Sequence, residues 1–123
     1  MRNILILDNT NFSYICASIL KTQGCTAIIV NDPEKLQRTI DINDISLIVV
    51  NYPINQRVFD SMRNITVPKV LLLAHINKEV VELLKDLNNT YCMIKPIDYS
   101  KFIDLIKMTS HNTITAFSGY SIL

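Results

Sequence analysis

Five short apolar runs constrain this chain more than any other feature: Ile4–Leu7, Ala27–Val30, Leu47–Val50, Val70–Leu73 and Cys92–Ile94. Each is continuous, of strand length, and most are rich in Ile and Val. A strand with one wet face alternates apolar and polar side chains, whereas a strand buried on both faces is apolar throughout. These runs therefore read as strands of a sheet covered on both sides.

Between the runs, apolar residues recur at helical spacing. Phe12, Ile15, Cys16, Ile19 and Leu20 form one stripe, with Thr10 as N-cap and Gly24 as the stop. Asp32-Pro33 opens a second helix carrying Leu36 and Ile40, an N-cap followed by Pro at the first helical position. A third, shorter pattern centres on Val58, Phe59 and Met62. A fourth runs through Ile76, Val80, Leu83, Leu84 and Leu87, and a fifth opens at Asp98 with Phe102, Ile103, Leu105 and Ile106. Strand followed by helix, five times over, predicts a (βα)5 α/β fold. Its five-stranded sheet would be parallel and doubly wound, with right-handed crossovers.

At 123 residues the chain has the length of one domain. With 49 % hydrophobic and 19 % charged residues, two Gly and four Pro, it is neither disordered nor a repetitive linker. The helical pattern lapses after Met108, so the domain is placed at residues 1–108. Residues 109–123 read as a C-terminal tail or the start of a linker, and Ile114–Leu123 equally as an added strand.

Twelve basic against eleven acidic side chains leave a net charge of +1, which gives nucleic acid or an anionic membrane no footprint. Cys16, Cys25 and Cys92 are odd in number and form no C-x-x-C motif. Neither a disulfide scaffold nor a zinc site is expected, and a reducing compartment fits. The first apolar run ends at Asp8 after four residues, too short for a leader core or a membrane span. A cytoplasmic location is the expectation.

In open parallel sheets, ligands bind beyond the carboxyl ends of the strands, where strand order reverses. The residues that fall there are Asp8 and Asn9, Asn31 and Asp32, Asn51, Leu73-Ala74-His75, and Lys95-Pro96.

This arrangement resembles the receiver domain of two-component response regulators, over about residues 2–108. The resemblance is carried by Ile4-Leu5-Ile6-Leu7-Asp8, by Leu47-Ile48-Val49-Val50-Asn51, by Pro68 through Ala74, and by Ile94-Lys95-Pro96. It implies the flavodoxin-like receiver fold. In that family, acids after the first strand and an aspartate after the third hold Mg²⁺, a cation that takes oxygen ligands. The third-strand aspartate accepts a phosphoryl group from a phosphohistidine, and a lysine and a hydroxyl residue bind the phosphoryl oxygens.

Only part of that machinery is matched. Asp8 stands at the first acid and Lys95 at the lysine, but Asn9 replaces the second acid and Asn51 the phosphoacceptor. A carboxamide carries no full charge on its oxygen and forms no acyl phosphate. Leu73, followed by Ala74, stands at the hydroxyl position, and Cys92 at the position of the switch aromatic. Tyr91, one place earlier, would point to the other face of its strand. Pro53 lies closer to Asn51 than the family's loop proline does, and the stretch from Asn51 to Leu73 is shorter than usual.

The resemblance thus implies a degenerate receiver, not an enzyme, with no cofactor and with weak or absent Mg²⁺ binding. It would signal through protein contacts with an output domain, a kinase or another receiver, with residues 75–108 as the first candidate surface and a homodimer as one form. No contact with nucleic acid or membrane is expected. The alternative is a small-ligand or phosphate-binding regulatory module on the same fold, against which stands the lack of a Gly-rich loop.

Each candidate residue also has a plainer reading. Asp8 would cap the first helix, and Asn51 would be a strand-end turn residue bonded to local backbone. Lys95 would pair with Asp8 and hold the last loop against the first, and Lys95-Pro96 would be a cis peptide as in the family. His75 reads as a solvated side chain and the cysteines as core. Val81 and Ile103 lie off their helices' main stripes, as ordinary surface or as part of a partner face.

Overall fold

The computed structural model describes residues 2–8, 10–54, 56–110 and 119–123. Its strands are β1 (Arg2–Leu7), β2 (Cys25–Val30), β3 (Ile45–Asn51), β4 (Lys69–Leu73), β5 (Thr90–Ile94) and β6 (Tyr120–Ile122). They form one sheet in the order β2-β1-β3-β4-β5-β6, and every neighbouring pair is parallel. The helices are α1 (Phe12–Thr22), α2 (Pro33–Ile42), α3 (Gln56–Ser61), α4 (Lys78–Leu84) and α5 (Tyr99–Ser110).

The apolar runs of β1, β3 and β4 divide their side chains between two cores, because successive residues of a strand point to opposite faces, whereas the edge strand β2 leaves Ile29 exposed. Leu5, Leu7, Ile48, Val50, Leu71 and Leu73 pack against Leu36, Phe59 and Leu84 from α2, α3 and α4. Ile4, Ile6, Leu47, Val49, Val70 and Leu72 pack against Cys16 and Leu20 of α1 and Phe102 and Leu105 of α5. The sheet is doubly wound, as the sequence predicts.

The helix boundaries follow local chemistry. Asp32 caps α2 by accepting the Glu34 N–H at 3.0 Å, with Pro33 at the first turn. Asn77 caps α4 through the Val80 N–H at 2.9 Å. Asp98 accepts the Ser100 N–H at 3.0 Å at the start of α5. Gly24 ends α1 with a positive φ of 73°, a conformation that carries no steric cost without a Cβ. The start of α1 differs from expectation. Asn11, not Thr10, is the N-cap and makes no side-chain cap bond; Thr10 accepts the Phe12 N–H from one residue further back.

At the C-terminal end α5 runs through to Ser110, and the sheet has a sixth strand beside the five expected. Of the readings open for 109–123, residues 120–122 take the added strand, parallel to β5; residues 111–118 lie outside the described ones. A three-residue strand with exposed side chains has no apolar run to announce it. Val81 and Ile103 are half-buried.

Lys69 opens β4 inside the strand layer and is 0 % exposed. Its ammonium donates to the carbonyls of Ile65, Val67 and Asn88, so it ties the approach to β4 to the approach to β5. Burial disfavours its charged form and lowers its pKa to about 8 from the ordinary 10.5. Below about pH 8 the lysine is protonated both folded and unfolded and adds no pH dependence. Between about 8 and 10.5 the unfolded chain holds a proton that the folded chain has released, so stability rises with pH. The buried thiols of Cys16 and Cys92, pushed up to about 12 and about 11, act in the opposite sense above pH 9. They cancel when wild type is compared with Lys69→Met. Urea unfolding at successive pH values in that window is expected to show the stability of wild type, relative to the variant, rising by about 1.4 kcal/mol per pH unit. A difference that stays flat would remove the desolvated lysine from the account.

Candidate functional site

β1 pairs with β2 on one side and β3 on the other, so the direction of winding changes at β1. The carboxyl ends of β1, β3, β4 and β5 bring Asp8, Asn51, Leu73 and Lys95 to the same edge of the sheet.

Asp8 is the centre of what is built there. It is 4 % exposed, and its carboxylate is occupied by donors. The Ser13 N–H reaches Oδ2 at 2.7 Å, and the Thr10 hydroxyl lies 2.9 and 3.0 Å from the two oxygens. The Asn51 Nδ2 donates to Oδ1 at 3.1 Å. The helix-capping reading and the site reading of Asp8 thus describe one carboxylate: it anchors the first turn of α1 and holds β3 across the winding point. Negative charge at a helix N-terminus is favourable on both hydrogen-bonding and dipole grounds.

Asn51 does not bond local backbone as its plainer reading expected. Its amide crosses to Asp8, because an ionised carboxylate only accepts and so draws the NH₂ end. The Oδ1 is left buried and without a protein partner.

The expected Asp8–Lys95 ion pair is absent. The Lys95 ammonium donates instead to the Tyr52 carbonyl at 3.3 Å, tying the end of β5 to the loop after β3. With four contacts already on its carboxylate, Asp8 has no need of the lysine. Lys95-Pro96 is cis, as is Tyr52-Pro53.

Leu73 and Cys92 are both 0 % exposed and belong to the same core cluster. Burial raises the Cys92 thiol to about 11, so it is an inert packing group. Tyr91 packs against the opposite cluster, on the other face of β5 as its position predicts. Ala74 and His75 are exposed and line a cleft of about 200 Å³ with Tyr52, Pro53 and Asn77. Asn9 lies outside the described residues.

Sequence reasoning missed Thr10 and Ser13 as partners of Asp8, the Tyr52 carbonyl as the seat of Lys95, and the buried Lys69. Only the first left a signal: hydroxyl residues two and five places after an acid, at a helix start.

Chemically, the site offers one carboxylate, saturated by neutral donors, beside an amide nitrogen. Mg²⁺ takes oxygen ligands in near-octahedral array. The donor set does not fit it, since the amide presents its nitrogen to Asp8 and its buried oxygen away from it. Among the described residues no group of three or more His, Cys, Asp or Glu side chains is placed to hold a metal ion. Nor is any described helix long and apolar enough to cross a membrane.

No protein-family model and no curated protein sequence matches the chain. Solved structures do. A two-component response regulator from Clostridium difficile is 16 % identical, with a TM-score of 0.73 over 94 % of this chain and 100 % of its own. The receiver domain of the TMAO respiratory system response regulator TorR is 13 % identical, with a TM-score of 0.75 over 91 % of this chain and 98 % of its own. Vibrio cholerae chemotaxis protein CheY4 is 13 % identical at a TM-score of 0.74, over 89 % and 98 %. The fold is that of CheY-like response-regulator receivers.

Asn51→Asp tests the placement of this residue. The substitution removes the Nδ2 bond and sets two carboxylates side by side, a like-charge pair that costs about 1–3 kcal/mol in the absence of a cation. Unfolding in chelator is expected to show that loss, and millimolar Mg²⁺ to recover part of it in the variant while leaving wild type unmoved. A variant indifferent to Mg²⁺ would mean that positions 8 and 51 do not share a site.

Proposed function

We propose that this chain is a receiver-like domain of two-component signal transduction that has lost phosphotransfer and acts through protein contacts. The observation that carries the reading is the state of Asn51. At the carboxyl end of β3, where a receiver presents its phosphoacceptor, this chain has an amide already committed to Asp8.

Three further features support it. Leu73 replaces a hydroxyl with hydrocarbon sealed in the core, so no side chain there reaches a phosphoryl oxygen. Lys95 is engaged by the Tyr52 carbonyl. Cys92, where the family's aromatic switch stands, is a buried thiol with no ring to move. On this reading the domain is not an enzyme, needs no cofactor, and holds Mg²⁺ weakly or not at all. Buried free thiols suit a reducing, cytoplasmic setting.

Residues 75–108, comprising α4, β5 and most of α5, are the proposed surface for an output domain, a kinase, another receiver or a second copy. On this reading these residues make no contact with nucleic acid, in keeping with their balanced charge.

Incubation with acetyl phosphate and Mg²⁺, followed by intact-mass measurement under conditions that preserve acyl phosphates, is expected to show no phosphoryl adduct. A stable adduct on Asp8 or any other carboxylate would overturn the reading.

A further inference from the structure

β6 is the most lightly held part of the sheet. It pairs on one side only, with Tyr120, Ser121 and Ile122 opposite Thr90, Tyr91 and Cys92. Its polar ties run through its main chain. The Thr90 N–H donates to the Gly119 carbonyl at 3.4 Å, and the Leu123 N–H to the Cys92 carbonyl at 2.9 Å. The Gly119 N–H donates to the Asn88 side-chain oxygen at 3.2 Å. Two side chains add seats on opposite faces. Tyr120 packs against the core cluster beneath α2–α4. Leu123 borders an apolar groove of about 280 Å³ shared with Tyr91, Leu105 and Met108. Ile122 and Leu123 nonetheless remain 51 % and 43 % exposed.

Main-chain pairing to a sheet edge, with pockets for selected side chains, is how extended peptides are recognised by strand addition. Removing β6 breaks no pairing among β1 to β5, so the edge can open without unfolding the body. We propose that the outer edge of β5, with the groove against α5, is a binding site for an extended segment of a partner protein, and that β6 is its resident competitor.

The resident segment shows what chemistry fits. A partner segment places an aromatic side chain opposite Thr90 and an aliphatic one three residues later, in the groove of Tyr91, Leu105 and Met108. Gly119–Leu123 carries no charged side chain, so recognition rests chiefly on backbone and apolar contact, although Lys101 and Asp104 also line the groove. The inference stands on β5 and β6 alone and holds whether or not the chain accepts a phosphoryl group.

The test uses the full chain, a labelled synthetic peptide of residues 118–123 as probe, and a scrambled peptide as control. Wild type is compared with Leu123→Ser, a substitution at an exposed site, and with Tyr120→Ser/Leu123→Ser. The double variant is expected to bind the probe about tenfold more tightly than wild type, with the single variant between them. In wild type, the Thr90 and Leu123 amides are expected to exchange with solvent far faster than the Lys95 amide, which donates to the Leu73 carbonyl inside the sheet. Protection of the Lys95 amide in the variants reports that the body is folded. Equal protection of all three amides in wild type overturns the proposal, as does probe binding that the substitutions or scrambling leave unchanged. A wild-type dimer with a second copy's segment seated on β5 overturns it too, since the occupant would then be this chain itself.

Discussion

A parallel sheet covered on both faces leaves polar groups few places to be. Along β1, β3 and β4, inward positions on both sides are filled by hydrocarbon, and a polar side chain there would lose water without gaining a partner. Polar chemistry is therefore driven to the strand ends. At the carboxyl end it collects as Asp8, Asn51 and Lys95; at the amino end it is Lys69 within its three carbonyls. Both groups are bridges between segments distant in sequence, and both are buried or half-buried.

The carboxyl-end bridge is closed by donors of the chain itself. A carboxylate beside a second carboxylate invites a cation, because two like charges at contact distance need one. A carboxylate beside an amide does not: the amide supplies a donor, and the helix start supplies two more. With an amide at position 51, the Asp8 carboxylate finds its donors within the chain and calls for no cation. Lys95, released from Asp8, settles on a backbone carbonyl and closes the loop after β3. Among the described residues the one buried side-chain group without a partner is the Asn51 carbonyl oxygen. A half-satisfied amide is what remains when a residue has one neighbour suited to its nitrogen and none suited to its oxygen.

Much of the architecture was legible in the sequence because it rests on local or periodic signals. β1 to β4 each contain an uninterrupted apolar run, Asp32-Pro33 is a cap written in two residues, and Gly24 marks a positive φ. The parallel, doubly wound character of the sheet followed from the alternation of element types. What was hidden depends on competition between partners. The Asp8–Lys95 pair was reasonable from charge alone, but backbone and hydroxyl donors within five residues of Asp8 reach it at far lower entropic cost than a long side chain from β5. Lys69 had no reading of its own, since nothing in its sequence neighbourhood announces three carbonyls converging on it. β6 was one of three readings, because its three residues carry too little hydrophobic pattern to choose among them.

The enclosure of Lys69 has a chemical consequence as well as an energetic one. An amine that is half deprotonated near pH 8 is a good nucleophile, yet this one is wholly shielded from reagents in solution. Acylation there waits on separation of the segments ahead of β4 and β5, after which the freed amine reverts to ordinary reactivity. The rate at which Lys69 is labelled, set against that of the exposed Lys78 or Lys101, is therefore a clock for the opening of the amino end of the sheet. The protein carries that clock without any added probe.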